Sequence, residues 1–382
     1  MIDEYSPNVS TFWGSFFCQN EKNLLTLQTK INKNMAKATK EAPESKGRFQ
    51  DALDKLNKAY GVGTVLTLDS KTTGDYDIIS TGSIGFDHIT LGTGGFVKGK
   101  MYELMGWEGS GKSTICGHAV AECQKKGGVV LYIDGEHAVD KHYFEALGVD
   151  TAKMLIAQPS CGEEGFNIAM EMIETGTIDL IIIDSDSSLI PKKVLDGEVG
   201  DSSIGKKALL NSNAYPKLKG ALSQHNVCVI VISQYREKIG VMFGNPTTTQ
   251  GGHALKFYTD VRIEVSKSLA KEGDVTYGNI TKVKAIKNKM SPPYKLSQFE
   301  IIYGQGIDKL GEMMELINDF SIGRKYGKTM TLGVGTAGET KYDLEEFKQL
   351  LMYNEDFYNS IKGQILNKIN QTEIKENAIS EL

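Results

Sequence analysis

The sequence predicts an α/β protein. A mostly parallel, mixed-edge sheet is built around a phosphate-binding loop, with an N-terminal helix–strand segment ahead of it and a small α+β domain behind it. Three observations predict this. First, Gly106-Trp107-Glu108-Gly109-Ser110-Gly111-Lys112-Ser113-Thr114 fits G-x-x-x-x-G-K-[ST] and stands between an apolar strand pattern and a helix pattern. Second, short apolar runs alternate with helical periodicity from Met101 to Ser233, the pattern of a parallel sheet covered on both faces. Third, the runs beyond Gly252 follow one another without long helices, which suggests an antiparallel extension of the same sheet.

Composition sets the outer limits. The chain has 382 residues, 40% of them hydrophobic, so it can bury a large core in about two or three domains. A formal net charge of −5 does not by itself suggest a nucleic-acid binder. It leaves room for one, because binding needs only a local basic surface. Cys18, Cys116, Cys123, Cys161 and Cys228 lack metal-ligand spacing and read as free thiols of a reducing compartment. No apolar run is long enough to span a bilayer. The first residues, Met-Ile-Asp-Glu, lack a basic n-region before an apolar core, so the expected location is the cytoplasm.

In chain order, residues 1–46 form an extension. It carries the aromatics Phe12, Trp13, Phe16 and Phe17, then seven Lys/Arg against three Glu between Glu21 and Arg48, a local charge of 7 − 3 = +4. It reads either as a solvated tail or as a docking segment with aromatic anchors. Residues 47–75 hold an amphipathic helix, Gly47 to Tyr60, with Phe49, Leu53, Leu56 and Tyr60 on one face, and a short strand, Thr64 to Leu68. This pair could pack on a neighbouring subunit or on its own sheet.

Residues 76–310 are the core. Glycines 82, 85, 92, 94, 95 and 99 make a turn-rich approach to the strand Met101–Met105. A helix follows the loop from Ile115 to Cys123, and then come the strand Val129–Asp134, a helix near Tyr143–Leu147 and the strand Met154–Ala157. The helix Gly165–Thr175 and the strands Leu180–Asp184 and Val227–Ser233 complete the parallel set. Val261–Val265, Ile280–Ile286 and Phe299–Ile302 form the antiparallel part. Residues 311–382 make the small α+β region. There Asp343 can cap a helix carrying Leu344, Phe347 and Leu351, and a last helix carries Phe357, Ile361, Ile365 and Ile369.

The chemistry gathers where parallel strands end. The glycines of Gly106–Thr114 let backbone N–H groups turn toward phosphates, Lys112 would reach the β- and γ-phosphates, and Ser113 would ligate Mg²⁺. Four apolar residues running into Asp184 make a Walker-B strand, whose aspartate would hold the same ion. Glu136 closes the preceding strand, where a carboxylate could deprotonate a water that attacks the γ-phosphate. Gln234 ends the next strand and could touch that phosphate. His137 and His142 read as structural or surface residues, since no ligand set surrounds them. Two long loops follow nucleotide-contacting strands, Glu198–Lys207 and Tyr235–Gly252. They mix basic and apolar side chains in a way that suits single-stranded nucleic acid.

These segments resemble the RecA-type homologous-recombination ATPases, of bacterial or phage type. The likeness runs from about Gly47 to Gly311. It rests on Ile79–Ser83, the phosphate loop, Ile133–Ala138, Gly197–Ser202, Lys238–Pro246, Ala254–Tyr258 and Lys287–Lys289. It implies an ATP- and Mg²⁺-dependent recombinase that coats single-stranded DNA as a helical homo-oligomeric filament and exchanges strands with a duplex. Repair and the response to DNA damage are implied with it.

By the same resemblance Glu136 is the catalytic glutamate and Gln234 the γ-phosphate sensor, while Asp140 and Tyr143 contact adenine. Lys287 and Lys289 reach the adjoining subunit's nucleotide, and Lys256-Phe257 couples nucleotide to subunit contact. DNA is held by Val199, Ser202, Ile204, Lys206 and Lys207 of the first loop. The second loop offers Arg236, Lys238, Ile239, Met242, Phe243, Asn245, Gly251 and Gly252. The helix–strand segment docks on the next subunit.

Leu209 and Pro216 depart from the pattern, standing where the family carries backbone-binding arginines. Pro216 is expected to kink or restart that helix, and Lys206 and Lys207 to replace the charge. A hexameric helicase of the same core would not share the two loops. A non-hydrolysing DNA-binding scaffold would not need Glu136.

Overall fold

The structure, a computed structural model, describes residues 42–61, 65, 76–198, 205–237, 247–249 and 251–380. The chain divides into two compact units, Met1–Asp75 and Tyr76–Leu382. In the first, helix α1 spans Ala42–Tyr60, starting earlier than its sequence pattern. Gly61 ends it at φ 108°, and its N–H donates to Asn57 O at 2.9 Å. The Asn57 side chain brackets Val65, donating to its carbonyl at 3.0 Å and accepting from its N–H at 2.9 Å. Phe49, Leu56 and Tyr60 are exposed. The extension before residue 42 and the expected strand Thr64–Leu68, apart from Val65, lie outside the described residues.

The second unit opens with β1, Ile78–Ile79, a π-helical segment Gly85–Thr90 and β2, Phe96–Val97. Then come β3 (Met101–Gly106), α2 (Lys112–Lys125), β4 (Val130–Asp134), α3 (Lys141–Ala146) and β5 (Leu155–Ala157). They are followed by α4 (Gly162–Glu174), β6 (Leu180–Asp184), the short α5 (Lys192–Leu195), α6 (Lys206–His225) and β7 (Cys228–Glu237). The core closes with β8 (Thr247–Thr249), α7 (Ala254–Tyr258), β9 (Val261–Glu272), β10 (Val275–Asn288), β11 (Leu296–Ile302) and β12 (Gly306–Ile307).

Ten strands make one sheet in the order β12-β11-β10-β9-β3-β7-β6-β4-β5, with β8 attached to β7. From β9 to β5 every pairing is parallel, and from β9 to β12 every pairing is antiparallel. Alternate residues of each central strand serve opposite faces. Tyr102, Leu104, Tyr132, Ile182 and Ile230 meet Ile115, Ala119 and Val120 of α2. Met101, Ile133, Ile181, Ile183, Val229 and Val231 meet Phe166 and Ile173 of α4 and Tyr215, Leu218 and Leu222 of α6. Covering both faces explains the uninterrupted apolar runs.

Besides α1, β9 and β10, which outrun their sequence patterns, two elements beside the loops differ from theirs. β7 continues past Ser233, because Tyr235, Arg236 and Glu237 pair antiparallel with Thr249, Thr248 and Thr247. And α6 runs through Pro216 instead of restarting there. Proline forfeits one backbone hydrogen bond. But Tyr215 before it and Leu218 and Leu222 after it are fully buried on one core face, which holds both halves in line.

The remaining residues form α8 (Lys309–Asp319), a three-stranded sheet of β13 (Gly323–Tyr326), β14 (Thr329–Leu332) and β15 (Thr340–Asp343), then α9 (Leu344–Tyr353) and α10 (Glu355–Ser380). Asp343 caps α9, accepting from Glu345 N at 2.9 Å and Glu346 N at 3.4 Å. Met313, Ile317, Phe347, Leu351, Ile361, Ile365 and Ile369 bury together with Ile84 of the approach segment. Glu312 fastens that junction, accepting from Ser83 Oγ at 2.6 Å, Gly85 N at 3.0 Å and Ile84 N at 3.1 Å.

Asp87 is buried close by, bound by Ser80 Oγ at 2.5 Å and Thr81 Oγ1 at 2.8 Å. Burial pushes both the Asp87 and the Glu312 carboxyl up to about 7, outweighing the hydrogen bonds that pull them down. Unfolded, such groups titrate near ~4. The folded state therefore holds extra protons between those values. The stability these groups contribute is complete below about pH 4 and is lost as pH rises through about 7. The expected outcome is a thermal midpoint that falls from pH 5 to pH 8, and falls less in Asp87→Asn. Equal falls in both proteins would refute the assignment.

Candidate nucleotide-binding site

Strand register assembles the site. Gly106 at the end of β3 lies opposite Gln234 of β7, and Asp134 at the end of β4 lies opposite Asp184 of β6. Four parallel strands thus bring Gly106, Gln234, Asp134 and Asp184 to one edge of the sheet. Gly109 and Gly111 adopt φ 66° and 97°. A Cβ on Gly111 would strike Ile301, and one on Gly106 would strike the Val265 carbonyl. Only glycine allows the loop to lie this close to β9 and β11. Gly111 is also the N-cap of α2, so no side chain covers the first N–H groups of that helix.

Lys112 is buried and folded back along the loop. Its ammonium donates to Trp107 O at 2.8 Å and Gly106 O at 3.0 Å. Burial lowers its pKa, against the attraction of Asp184 and Glu136. Asp184 accepts from Tyr132 OH at 2.6 Å and Ser113 Oγ at 2.8 Å, and burial raises its pKa. Glu136 is exposed and takes two bonds on the same oxygen: Ser185 Oγ donates at 2.5 Å and Gln234 Nε2 at 2.7 Å to Oε1.

The arrangement fits a nucleoside triphosphate with a divalent cation. Lys112 is held by neutral acceptors that a phosphate would outcompete. Ser113 and Asp184 offer an adjacent hydroxyl and carboxylate, the few hard oxygen donors that Mg²⁺ takes alongside phosphates. Among the described residues no cluster of three His, Cys, Asp or Glu could hold a metal alone. His142 is exposed near Glu145, and His137 is exposed at φ 53°.

Of the loop's remaining members, Ser110 is buried and Trp107, Glu108 and Gly109 are exposed; Trp107 packs edge-on to Tyr235 at 6.0 Å. Thr114 bonds Tyr143 OH at 2.7 Å, so Tyr143 stands against the loop helix. Asp140 caps α3, accepting from His142 N at 2.8 Å and Tyr143 N at 3.1 Å.

Lys287 and Lys289 do not join this cluster. Lys287 pairs with Arg262, which is level with Glu103 near the start of β3. Its ammonium donates to Thr259 O at 2.6 Å and Lys256 O at 2.9 Å. Lys289 reaches Asp260 at 3.6 Å, and Asp260 accepts from Met101 N at 3.0 Å. Both lysines therefore sit at the amino edge of the parallel strands. Met101 to Gly106 measures about 17 Å along a strand. Phe257 is exposed beside them.

Of the expected DNA contacts, Val199, Ser202, Ile204, Lys238, Ile239, Met242, Phe243 and Asn245 lie outside the described residues. Arg236 is exposed on β7, and Lys206 begins α6. Lys207, read from sequence as a replacement surface charge, instead turns inward. Its ammonium donates to Leu189 O at 2.7 Å and lies 3.4 Å from Asp186. Gly251 and Gly252 adopt φ 89° and 78° beside α6.

Sequence reasoning missed Tyr132 and Ser185, which orient Asp184 and Glu136. It also missed Asn279 of β10, whose amide donates to Gly109 O at 3.4 Å. Period-2 counting along β4 could have placed Tyr132 on the Asp134 side. Nothing local marks Asn279.

Comparison with known proteins follows the same span. The RecA N-terminal domain family matches residues 48–308. Protein RecA of Cytophaga hutchinsonii is 45% identical over 323 residues, covering 84% of this chain and 90% of that protein. Protein RecA of Clostridioides difficile is 44% identical over 300 residues, with 78% and 86% covered. Protein RecA of Porphyromonas gingivalis is 42% identical over 315 residues, with 82% and 92% covered.

Glu136→Gln keeps the shape of the carboxylate and removes its basicity. Steady-state hydrolysis should fall roughly 10²- to 10⁴-fold, while nucleotide affinity, read from Trp107 fluorescence in a Trp13→Phe background, changes little. Near-normal turnover would remove Glu136 from the chemistry.

Proposed function

The chain belongs to the RecA family, and on that premise we propose how its residues divide the work of recombination. It is an ATP-dependent recombinase and a DNA-dependent ATPase. It forms filaments on single-stranded DNA and catalyses homologous pairing and strand exchange. The observation that carries our reading of the site is the split of its cationic groups between the two edges of the sheet. Lys112 stands at the carboxyl edge with Glu136, Asp184 and Gln234, and Lys287 and Lys289 stand at the amino edge. One chain cannot bring the two sets onto one nucleotide. Subunits stacked edge to edge in a helical filament can.

In this reading Lys112 and the N–H groups of the loop hold the phosphates of ATP. Ser113 and Asp184 hold Mg²⁺, which supplies charge neutralisation at the phosphates when bound. Glu136 orients water and accepts its proton. Lys287 and Lys289 of the adjoining subunit complete the charge around the γ-phosphate. Asp140 and Tyr143 face the base.

The two loops hold DNA, single-stranded first and then the homologous duplex. Val199, Ser202, Ile204 and Lys206 serve in one loop. Arg236, Lys238, Ile239, Met242, Phe243, Asn245, Gly251 and Gly252 serve in the other. Lys207 acts from inside the fold. The exposed Phe49, Leu56 and Tyr60 of α1 suit docking on a neighbour, as does Phe257. The free, buried Cys116, Cys123 and Cys228 support a reducing, cytoplasmic setting. Among the described residues no helix is long and apolar enough to cross a membrane.

A mixing experiment tests the shared site. Lys112→Ala and Lys289→Ala proteins should each hydrolyse ATP poorly on single-stranded DNA. In an equimolar mixed filament about a quarter of the junctions combine an intact loop with an intact lysine edge, and about a quarter of wild-type turnover should return. No recovery would refute the division. Negative-stain images with ATP and single-stranded DNA should show helical filaments. Closed rings would overturn the recombinase reading itself.

A further inference from the structure

Asp184, Ser185 and Asp186 follow one another at the end of β6, and each faces a different part of the molecule. Asp184 takes the Ser113 hydroxyl, and Ser185 donates to Glu136. Asp186 turns inward and is 1% exposed. Its carboxylate accepts from Tyr215 OH at 2.5 Å and from Asn211 Nδ2 at 3.1 Å on each oxygen, with the Lys207 ammonium 3.4 Å away. All three partners belong to α6, the helix that leads out of the first loop. Asn211 is fully buried, and its amide also donates to Gly251 O at 3.2 Å. Gly251, at the end of the second loop, is pressed against this cluster. Any Cβ there would collide with Asn211 Nδ2 and Asp186 Oδ2. Lys207 is further held by Leu189 O and lies 6.0 Å over the Phe166 ring.

A buried carboxylate meeting an ammonium, an amide and a phenol is expensive to assemble, and apolar side chains could fill the same core space. What the polar set provides is direction. It fixes α6 and the end of the second loop, by hydrogen bonds, to the residue next to Ser185. A shift of α6 or Gly251 is then felt at Ser185, and through its hydroxyl at Glu136.

We propose that Asp186, with Lys207, Asn211 and Tyr215, is a buried clasp through which the two DNA loops position Glu136, and that Asp186 is a positioning residue for DNA-stimulated hydrolysis. This rests on the assignment of the two loops to DNA. Asp186 touches neither nucleotide nor DNA, so its loss acts on the coupling between them. DNA-independent nucleotide binding and basal turnover stay near wild type, and the rise in turnover on adding single-stranded DNA is lost.

The test compares wild type, Asp186→Asn and Tyr215→Phe, each with its thermal midpoint recorded. The readouts are turnover with and without single-stranded DNA, and nucleotide affinity without DNA. The ratio of stimulated to basal turnover should fall about tenfold in Asp186→Asn and about threefold in Tyr215→Phe, the scale of coupling carried by such networks. Tyr215→Phe removes one hydroxyl and decides the matter if Asp186→Asn does not fold. A wild-type ratio in folded Tyr215→Phe would overturn the clasp. So would an equal loss of nucleotide affinity, which marks a merely structural role. If wild type itself shows no stimulation by DNA, the assignment of the loops fails instead.

Discussion

The site depends on the register of four parallel strands. β3, β7, β6 and β4 each contribute one residue, and the set exists only while Gly106 faces Gln234 and Asp134 faces Asp184. A slip of one residue would exchange core and opposite-face side chains along a whole strand. Such a slip is heavily penalised here, because both faces are covered and nearly every central residue is buried. The core sets the register, and the register sets the chemistry. Gly135 adds a local tie, its N–H donating to Asp184 O at 2.8 Å, so the turn carrying Glu136 is bonded directly to the Walker-B strand.

That edge gathers like charges. Asp134, Glu136 and Asp184 are near neighbours, and Lys112 is the cation among them. Asp134 is buried and spent on structure, accepting from Ala138 N at 3.1 Å and Gln158 Nε2 at 3.2 Å. Asp184 is bound by two hydroxyls, which stabilise its ionised form while burial opposes it. A divalent cation at Ser113 and Asp184 would relieve the remaining repulsion. The second cationic pair, Lys287 and Lys289, is fixed elsewhere by carbonyls at the end of α7 and by Asp260. The fold thus separates its two cationic groups, Lys112 at the carboxyl edge of the parallel strands and Lys287 with Lys289 at the amino edge.

Much of this was legible in the sequence, for a stated reason. Phosphate loops, apolar runs ending in acids, and caps such as Asp343 are local patterns, and local spacing determines them. The parallel core, its antiparallel extension and the residues Lys112, Ser113, Glu136, Asp184 and Gln234 could be read from spacing alone. What could not be read depends on contacts between distant segments. Lys207 looks like a surface charge until Asp186, 21 positions earlier, is seen opposite it. Pro216 looks like a break until the burial of Tyr215 and Leu218 on one face shows what spans it. β7 outlasts its apolar run because Thr247–Thr249 returns to pair with it, and that return is set by a loop with no periodicity of its own.

The longer β7 ties Gln234 to the residues that follow it. The amide nitrogen of Gln234 donates one hydrogen to Glu136 at 2.7 Å and carries a second hydrogen for another acceptor. Gln234 is followed without interruption by Tyr235, Arg236 and Glu237, all paired to β8, with Tyr235 OH donating to Glu264 at 2.8 Å. A strand transmits displacement along its length better than a loop does. β7 therefore joins Gln234 to the residues that open the second loop, while Asn211 holds Gly251 at the far end of that loop.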